Sequence, residues 1–132
     1  MKINTEILLS SSAMFLGLSG ALLTFMPQET LQFMGKEEDL SFVVQLCGAL
    51  FLGFALMNWT IRSSLIGGIY NRGAVIGNFA HFFIGSPVFL KLYLKDTAMS
   101  HLLILGVIYT LFALAFGYIM FTGPKFSDKQ EV

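Results

Sequence analysis

The sequence predicts an all-α integral membrane protein, an antiparallel bundle of four transmembrane helices in a single membrane domain, residues 1–132. Three observations support this fold class. Hydrophobic residues make up 55% of the chain, charged residues make up 12%, and the mean hydropathy is +0.74. Soluble domains carry roughly 25% charged residues. A soluble fold of this composition would expose more apolar surface than water tolerates.

Four apolar segments are long enough to cross a hydrocarbon core, which takes roughly 20 helical residues. They cover about residues 7–26, 40–61, 73–94 and 101–121. Each segment is continuously apolar instead of alternating, which favours helices over the strands of a membrane barrel. Residues 122–132 are polar and predict a flexible tail.

The first two connections have different compositions. Pro27 suits the first position of a helix and Gly35 suits its end, so we expect a short interfacial helix after the first span. Residues 62–72 are too apolar for a solvated loop. We therefore expect both neighbouring helices to extend into this segment, with Gly67 and Gly68 forming the turn.

The basic residues predict the orientation of the chain. With four spans, both termini and the second connection lie on one side of the membrane. That side carries Lys2, Arg62, Arg72, Lys125 and Lys129, and the other side carries Lys36, Lys91 and Lys95. This excess predicts that both termini are cytoplasmic. The first apolar run is too long for a signal peptide and has no cleavage site, so we interpret it as an uncleaved span.

Composition also argues against several classes of function. Eight Lys and Arg balance eight Asp and Glu, so the chain lacks the basic excess that would indicate a nucleic-acid partner. Cys47 is the single cysteine and the four spans contain no Asp or Glu, so we expect no metal site and no cofactor. No paired acid and base and no nucleophile motif are present, so we expect no enzymatic activity.

Polar side chains in the predicted inner half of the bundle form the candidate ligand-binding site. His81 continues an i, i+4 series of glycines, which places it on a face that another helix can approach. The candidate residues are His81, Asn78, Asn58, Arg62, Arg72 and Tyr118. They are either interhelical hydrogen-bond partners or the lining of a cavity for the polar head of a lipid, isoprenoid or quinone. In such a cavity the arginines would meet negative charge and His81 would form a hydrogen bond.

Small residues recur at helical spacing on three spans. These stripes are Ala13, Gly17 and Ala21 on the first span, Ala49 and Gly53 on the second, and Gly106, Thr110, Ala113 and Gly117 on the fourth. Such stripes predict close helix packing, either within the protein or between copies.

Three segments carry a resemblance to a known family. They are Phe25-Met26-Pro27 with Gly35, Gln45-Leu46-Cys47-Gly48-Ala49-Leu50, and Gly77-Asn78-Phe79-Ala80-His81-Phe82. With these motifs the chain resembles the small bacterial four-helix membrane proteins of the DoxX-like group. The resemblance implies an antiparallel bundle in the bacterial cytoplasmic membrane. Some members of that group accompany quinone-linked oxidoreductases, and no catalytic residue is carried over from them.

These observations predict a non-enzymatic accessory or scaffold subunit of a membrane complex. Its expected partners are membrane lipids and either other membrane subunits or further copies of the chain. The alternative is a binder or carrier of a hydrophobic small molecule that uses the polar cluster. A third possibility is an intramembrane enzyme with His81 as general base.

Overall fold

The computed structural model describes residues 3–36 and 38–122, and this part of the chain is all-helical. The elements are α1 Thr5–Phe25, α2 Pro27–Phe33, a 3₁₀ turn Glu38–Leu40, α3 Ser41–Ile61, α4 Arg72–Lys95 and α5 Ser100–Phe121. Helices α1, α3, α4 and α5 are long and apolar enough to cross a membrane. They match the four predicted spans to within two residues. The predicted tail lies outside the described residues beyond Thr122.

The chain divides into two compact units, each described here by itself. The first unit, Asn4–Ser63, contains α1, α2 and α3, and the second unit begins at Ser64 and contains α4 and α5. The single membrane domain stays a prediction.

Glycines bring α1 and α3 together in the first unit. A Cβ atom on Gly48 would lie 2.8 Å from the Thr24 backbone nitrogen and 2.9 Å from the Gly20 carbonyl oxygen. One turn before Gly20 in α1, a Cβ atom on Gly17 would lie 3.6 Å from the Cβ of Ala55. The small-residue stripe of α1 therefore packs against α3.

Capping residues set the helix ends of the first unit. The Asn4 side chain accepts hydrogen bonds from the backbone N–H groups of Glu6 and Ile7, at 3.0 and 3.2 Å, and so begins α1. Pro27 begins α2, as predicted, because its missing N–H costs nothing at a first helical position. Gly35 follows the helix at φ 64°, a conformation that glycine adopts readily.

Close contacts also join α4 and α5 in the second unit. Added Cβ atoms on Gly106 and Gly117 would meet Leu90 and Phe79, at 2.7 and 3.1 Å. The later residue of α4, Leu90, thus meets the earlier residue of α5, Gly106, and the earlier residue Phe79 meets the later residue Gly117. Phe82 and Phe116 are fully buried and stack with their ring centroids 5.9 Å apart.

The second connection differs from the prediction, because α3 ends at Ile61 and α4 does not begin until Arg72. Neither helix extends to the turn at Gly67 and Gly68. Instead, the backbones of Gly67 and Tyr70 form two hydrogen bonds of 3.0 Å. Ile66 is only 2% exposed, and a Cβ on Gly67 would lie 2.7 Å from the Thr122 carbonyl oxygen. The connection is apolar because it packs against the end of α5.

Gly48→Ala should destabilise the protein by about 1–3 kcal/mol, because the new methyl group overpacks a backbone contact. Gly53→Ala in the same helix is the matched control, since nothing lies within 4 Å of its added Cβ. It should leave stability equal or raise it by up to about 1 kcal/mol through helix propensity. Reversible unfolding in mixed micelles measures both variants. Equal unfolding free energies for the two would contradict the close α1–α3 contact.

Candidate functional site

The predicted site residues are distributed over both units. Asn58 and Arg62 belong to the first unit, and the second unit contains Arg72, Asn78, His81 and Tyr118.

Asn58 lies in a buried hydrogen-bond chain of the first unit. Its side chain is fully buried, and its Nδ2 donates to the Ser12 hydroxyl at 3.0 Å. The Ser12 hydroxyl donates in turn to the Leu9 carbonyl oxygen at 3.0 Å. Burying an amide side chain is costly unless it is hydrogen-bonded. These two hydrogen bonds therefore stabilise the α1–α3 contact. Asn58 therefore acts at least as an interhelical hydrogen-bond partner.

Arg62 follows the last residue of α3 and contacts the residue one turn earlier. Its guanidinium carbon lies 4.0 Å from the centroid of the Trp59 ring, and a guanidinium nitrogen donates to the Trp59 carbonyl oxygen. The first contact is a cation–π interaction, which favours arginine over lysine. Trp59 therefore holds this charge at the end of the helix.

His81 pairs with a residue that the sequence reasoning missed. The His81 Nε2 lies 3.2 Å from the Tyr109 hydroxyl, and Tyr109 is 2% exposed. A Cβ atom on Gly85 would lie 2.5 Å from the nearest atom of the Tyr109 ring, so only glycine lets the ring lie against α4. The Gly77–His81–Gly85 spacing signalled this close approach, but it could not name the aromatic residue on the facing helix.

Aromatic rings surround the His81–Tyr109 pair. Phe82 and Phe89 meet the Tyr109 ring edge-on, with centroid distances of 5.1 and 4.9 Å. His81 meets Phe82 in the same way at 5.1 Å. The polar pair is therefore set in apolar surroundings, where a hydrogen bond is stronger than in water.

The other candidates of the second unit have separate environments. Asn78 is fully buried, and its Nδ2 donates to the Ala74 carbonyl oxygen at 2.9 Å, one turn earlier in α4. Arg72 is exposed at the start of α4. Tyr118 is 42% exposed near the end of α5. The sequence grouped these residues in one polar cluster in the inner half of the bundle, and that cluster as a whole stays a prediction.

An apolar groove of about 560 Å³ lies along α4 and α5. It is lined by Phe79, Phe83, Ser86, Pro87, Thr110, Ala113, Leu114, Gly117, Tyr118 and Phe121. The Ser86 and Thr110 hydroxyls lie 2.6 Å apart, and Thr110 also donates to the Gly106 carbonyl oxygen at 2.7 Å. These hydroxyls satisfy one another, so this end of the groove offers mainly hydrocarbon. Its volume falls within the roughly 300–1,000 Å³ of small-molecule sites.

Among residues 3–36 and 38–122, no three His, Cys, Asp or Glu side chains are grouped so that they could hold a metal ion. The expected lack of a metal site and of a cofactor stays a prediction. The chemistry available here is hydrogen bonding at His81 and Tyr109, and apolar contact in the groove.

Tyr109→Phe should lower the free energy of unfolding by about 1–3 kcal/mol, because it removes a partner from the buried pair. In a double-mutant cycle with His81→Ala we expect a coupling of about 0.6–2 kcal/mol, the range for hydrogen bonds between membrane helices. Tyr93→Phe is the control, because it removes a tyrosine hydroxyl at another position, on α4. A coupling indistinguishable from zero would show that the pair contributes nothing to stability.

No family model matches the chain, and neither does any curated protein or solved structure. The resemblance to the DoxX-like group stays a prediction on the quoted motifs.

Proposed function

We propose that the protein is an accessory or scaffold subunit of the cytoplasmic membrane, where it holds another membrane protein or a second copy of itself. In this proposal the four long helices form an antiparallel bundle with both termini in the cytoplasm. The basic excess on the side of the termini supports that orientation. The observation that carries the proposal is an exposed small-residue face on α3.

Two of the three predicted small-residue stripes have partners within their own unit. On α1, Gly17 packs against Ala55, and on α5, Thr110 bonds to Ser86. The stripe on α3 has none, because Ala49 and Gly53 are exposed and nothing lies within 4 Å of a Cβ added to Gly53. Small residues let helix backbones approach closely in a membrane. An unoccupied stripe therefore favours association with another helix.

The neighbours of this stripe complete a continuous surface. At 100° per residue, six exposed residues share one side of α3. They are Phe42, Gln45, Ala49, Gly53, Leu56 and Thr60, here called the open face of α3. The buried residues Gly48, Ala55 and Asn58 lie on other sides of the helix. At the edge of this face the Gln45 Nε2 donates to the Thr24 carbonyl oxygen of α1 at 3.4 Å, so this amide is used within the unit.

The alternative function, a binder of a hydrophobic small molecule, is favoured by the groove along α4 and α5. This groove differs from the polar cluster on which the sequence-based alternative rested, because Tyr118 is the one candidate residue that lines it. The two functions are compatible, since the open face of α3 and the groove belong to different units.

Filling the open face should weaken association without unfolding the protein. We expect the double variant Ala49→Leu and Gly53→Leu to dissociate about 5- to 150-fold more readily, because overpacking an interface costs about 1–3 kcal/mol. Gly73→Leu is the matched control, since a Cβ added to Gly73 on α4 also meets nothing within 4 Å. Co-purification from mild detergent and size-exclusion chromatography measure the effect.

Two results would contradict the proposal. One is a wild-type protein that elutes as a monomer free of other polypeptides. The other is a double variant that keeps every wild-type association while its thermal stability is unchanged.

A further inference from the structure

The groove along α4 and α5 has the length of one membrane leaflet. Its lining extends from Phe79 to Pro87 on α4 and from Thr110 to Phe121 on α5. At 1.5 Å per residue these stretches are about 12 and 16 Å long. Half of a hydrocarbon core is about 15 Å thick. The groove therefore matches the depth reached by a single lipid chain.

The lining and the size of the groove suit a hydrocarbon chain. Its space of about 560 Å³ is bordered almost wholly by apolar surface. The hydroxyls of Ser86 and Thr110 are bonded to each other, so they ask for no polar partner from an occupant. An acyl chain can therefore lie along the groove without burying an unpaired polar group.

The two ends of the groove differ in polarity. At one end, the hydroxyls of Ser86 and Thr110 are bonded to each other and leave an apolar surface around Pro87. At the other end lie Phe79 and the half-exposed Tyr118. Tyrosine favours the level of lipid headgroups because its ring is apolar and its hydroxyl is polar. The polar part of an occupant therefore belongs at the Tyr118 end.

A positive charge stands beyond that end on the same side of α4. Arg72, Phe79 and Ser86 are spaced seven residues apart, which places them along one side of the helix. Arg72 is exposed, and its guanidinium forms no hydrogen bond or ion pair with any residue in the described part of the chain. It lies two turns, about 10 Å, before the groove residue Phe79. This position complements a negative group attached to a chain in the groove.

We propose that the groove holds one acyl chain of an anionic phospholipid, whose phosphate headgroup pairs with Arg72. The lipid belongs to the leaflet at which α4 begins, and its chain ends near Ser86 and Thr110. Arginine suits this role because its planar guanidinium forms paired hydrogen bonds with phosphate oxygens. This inference rests on the second candidate function and gives it a ligand class and a site.

The test compares two lipids that have identical acyl chains and differ in headgroup charge. Phosphatidylglycerol and phosphatidylethanolamine are titrated separately into the delipidated full-length protein in mild detergent, and native mass spectrometry measures the lipid-bound fraction. We expect tighter binding of phosphatidylglycerol. Arg72→Gln should weaken its binding about fivefold, since one basic residue near an anionic headgroup gives an effect of that size. It should weaken phosphatidylethanolamine less, because the ammonium group of that lipid offsets the charge of its phosphate. Arg72→Lys should retain most of the preference.

A second pair of variants tests the groove itself. Leu114→Trp fills the groove from an exposed position and should weaken both lipids, whereas Leu111→Trp, equally exposed on α5 but outside the lining, should weaken neither. Lys95→Gln removes a charge from the opposite end of α4 and should have no effect. Thermal stability in detergent verifies that each variant is folded.

The outcomes separate the inference from the function on which it rests. A wild-type protein that binds neither lipid overturns the phospholipid as occupant, but not the second candidate function, which also covers isoprenoids and quinones. Equal binding of the two lipids, or loss of the preference in Lys95→Gln as well as in Arg72→Gln, overturns the pairing of Arg72 with an anionic headgroup. Binding that survives Leu114→Trp unchanged overturns the groove as the site of the chain.

Discussion

The close approach of helix backbones at glycine positions is the constraint on which the other features depend. At Gly48 the backbones of α3 and α1 come so close that a single methyl group would meet the Gly20 carbonyl at 2.9 Å. The same helix pair brings Ser12 to the buried amide of Asn58. In the second unit, Gly85 lets the Tyr109 ring lie against α4, where its hydroxyl reaches His81. Without side-chain bulk to separate the helices, short polar groups can bond across them.

Each feature was predictable from sequence to the extent that its cause is local to the residues that form it. Long apolar runs locate the spans because a membrane sets their length, and Pro27 locates the start of α2 because proline lacks a donor. The second connection was mispredicted, since its apolar residues pack against the end of α5 instead of continuing the helices. The partner of His81 was missed because helical spacing reports which residues share a face and not which residue faces them.

The apolar surface left over from internal packing carries the proposed functions. The small-residue faces of α1 and α5 are used within their own units, and the open face of α3 is not. The groove along α4 and α5 is apolar and long enough for a lipid chain. One surface therefore suits a protein partner and the other suits a lipid. The hydrogen bond from Asn58 to Ser12 stabilises the α1–α3 contact of the unit that carries the open face.

Native mass spectrometry of the protein, extracted from its own membranes in a mild detergent, tests the proposed accessory role most directly. We predict a complex of defined stoichiometry that contains a second polypeptide, either another membrane protein or a further copy of this chain. The mass of that second component would identify what the open face of α3 binds. A monomer without any associated polypeptide, found while its helical content and thermal stability are intact, would contradict the accessory role.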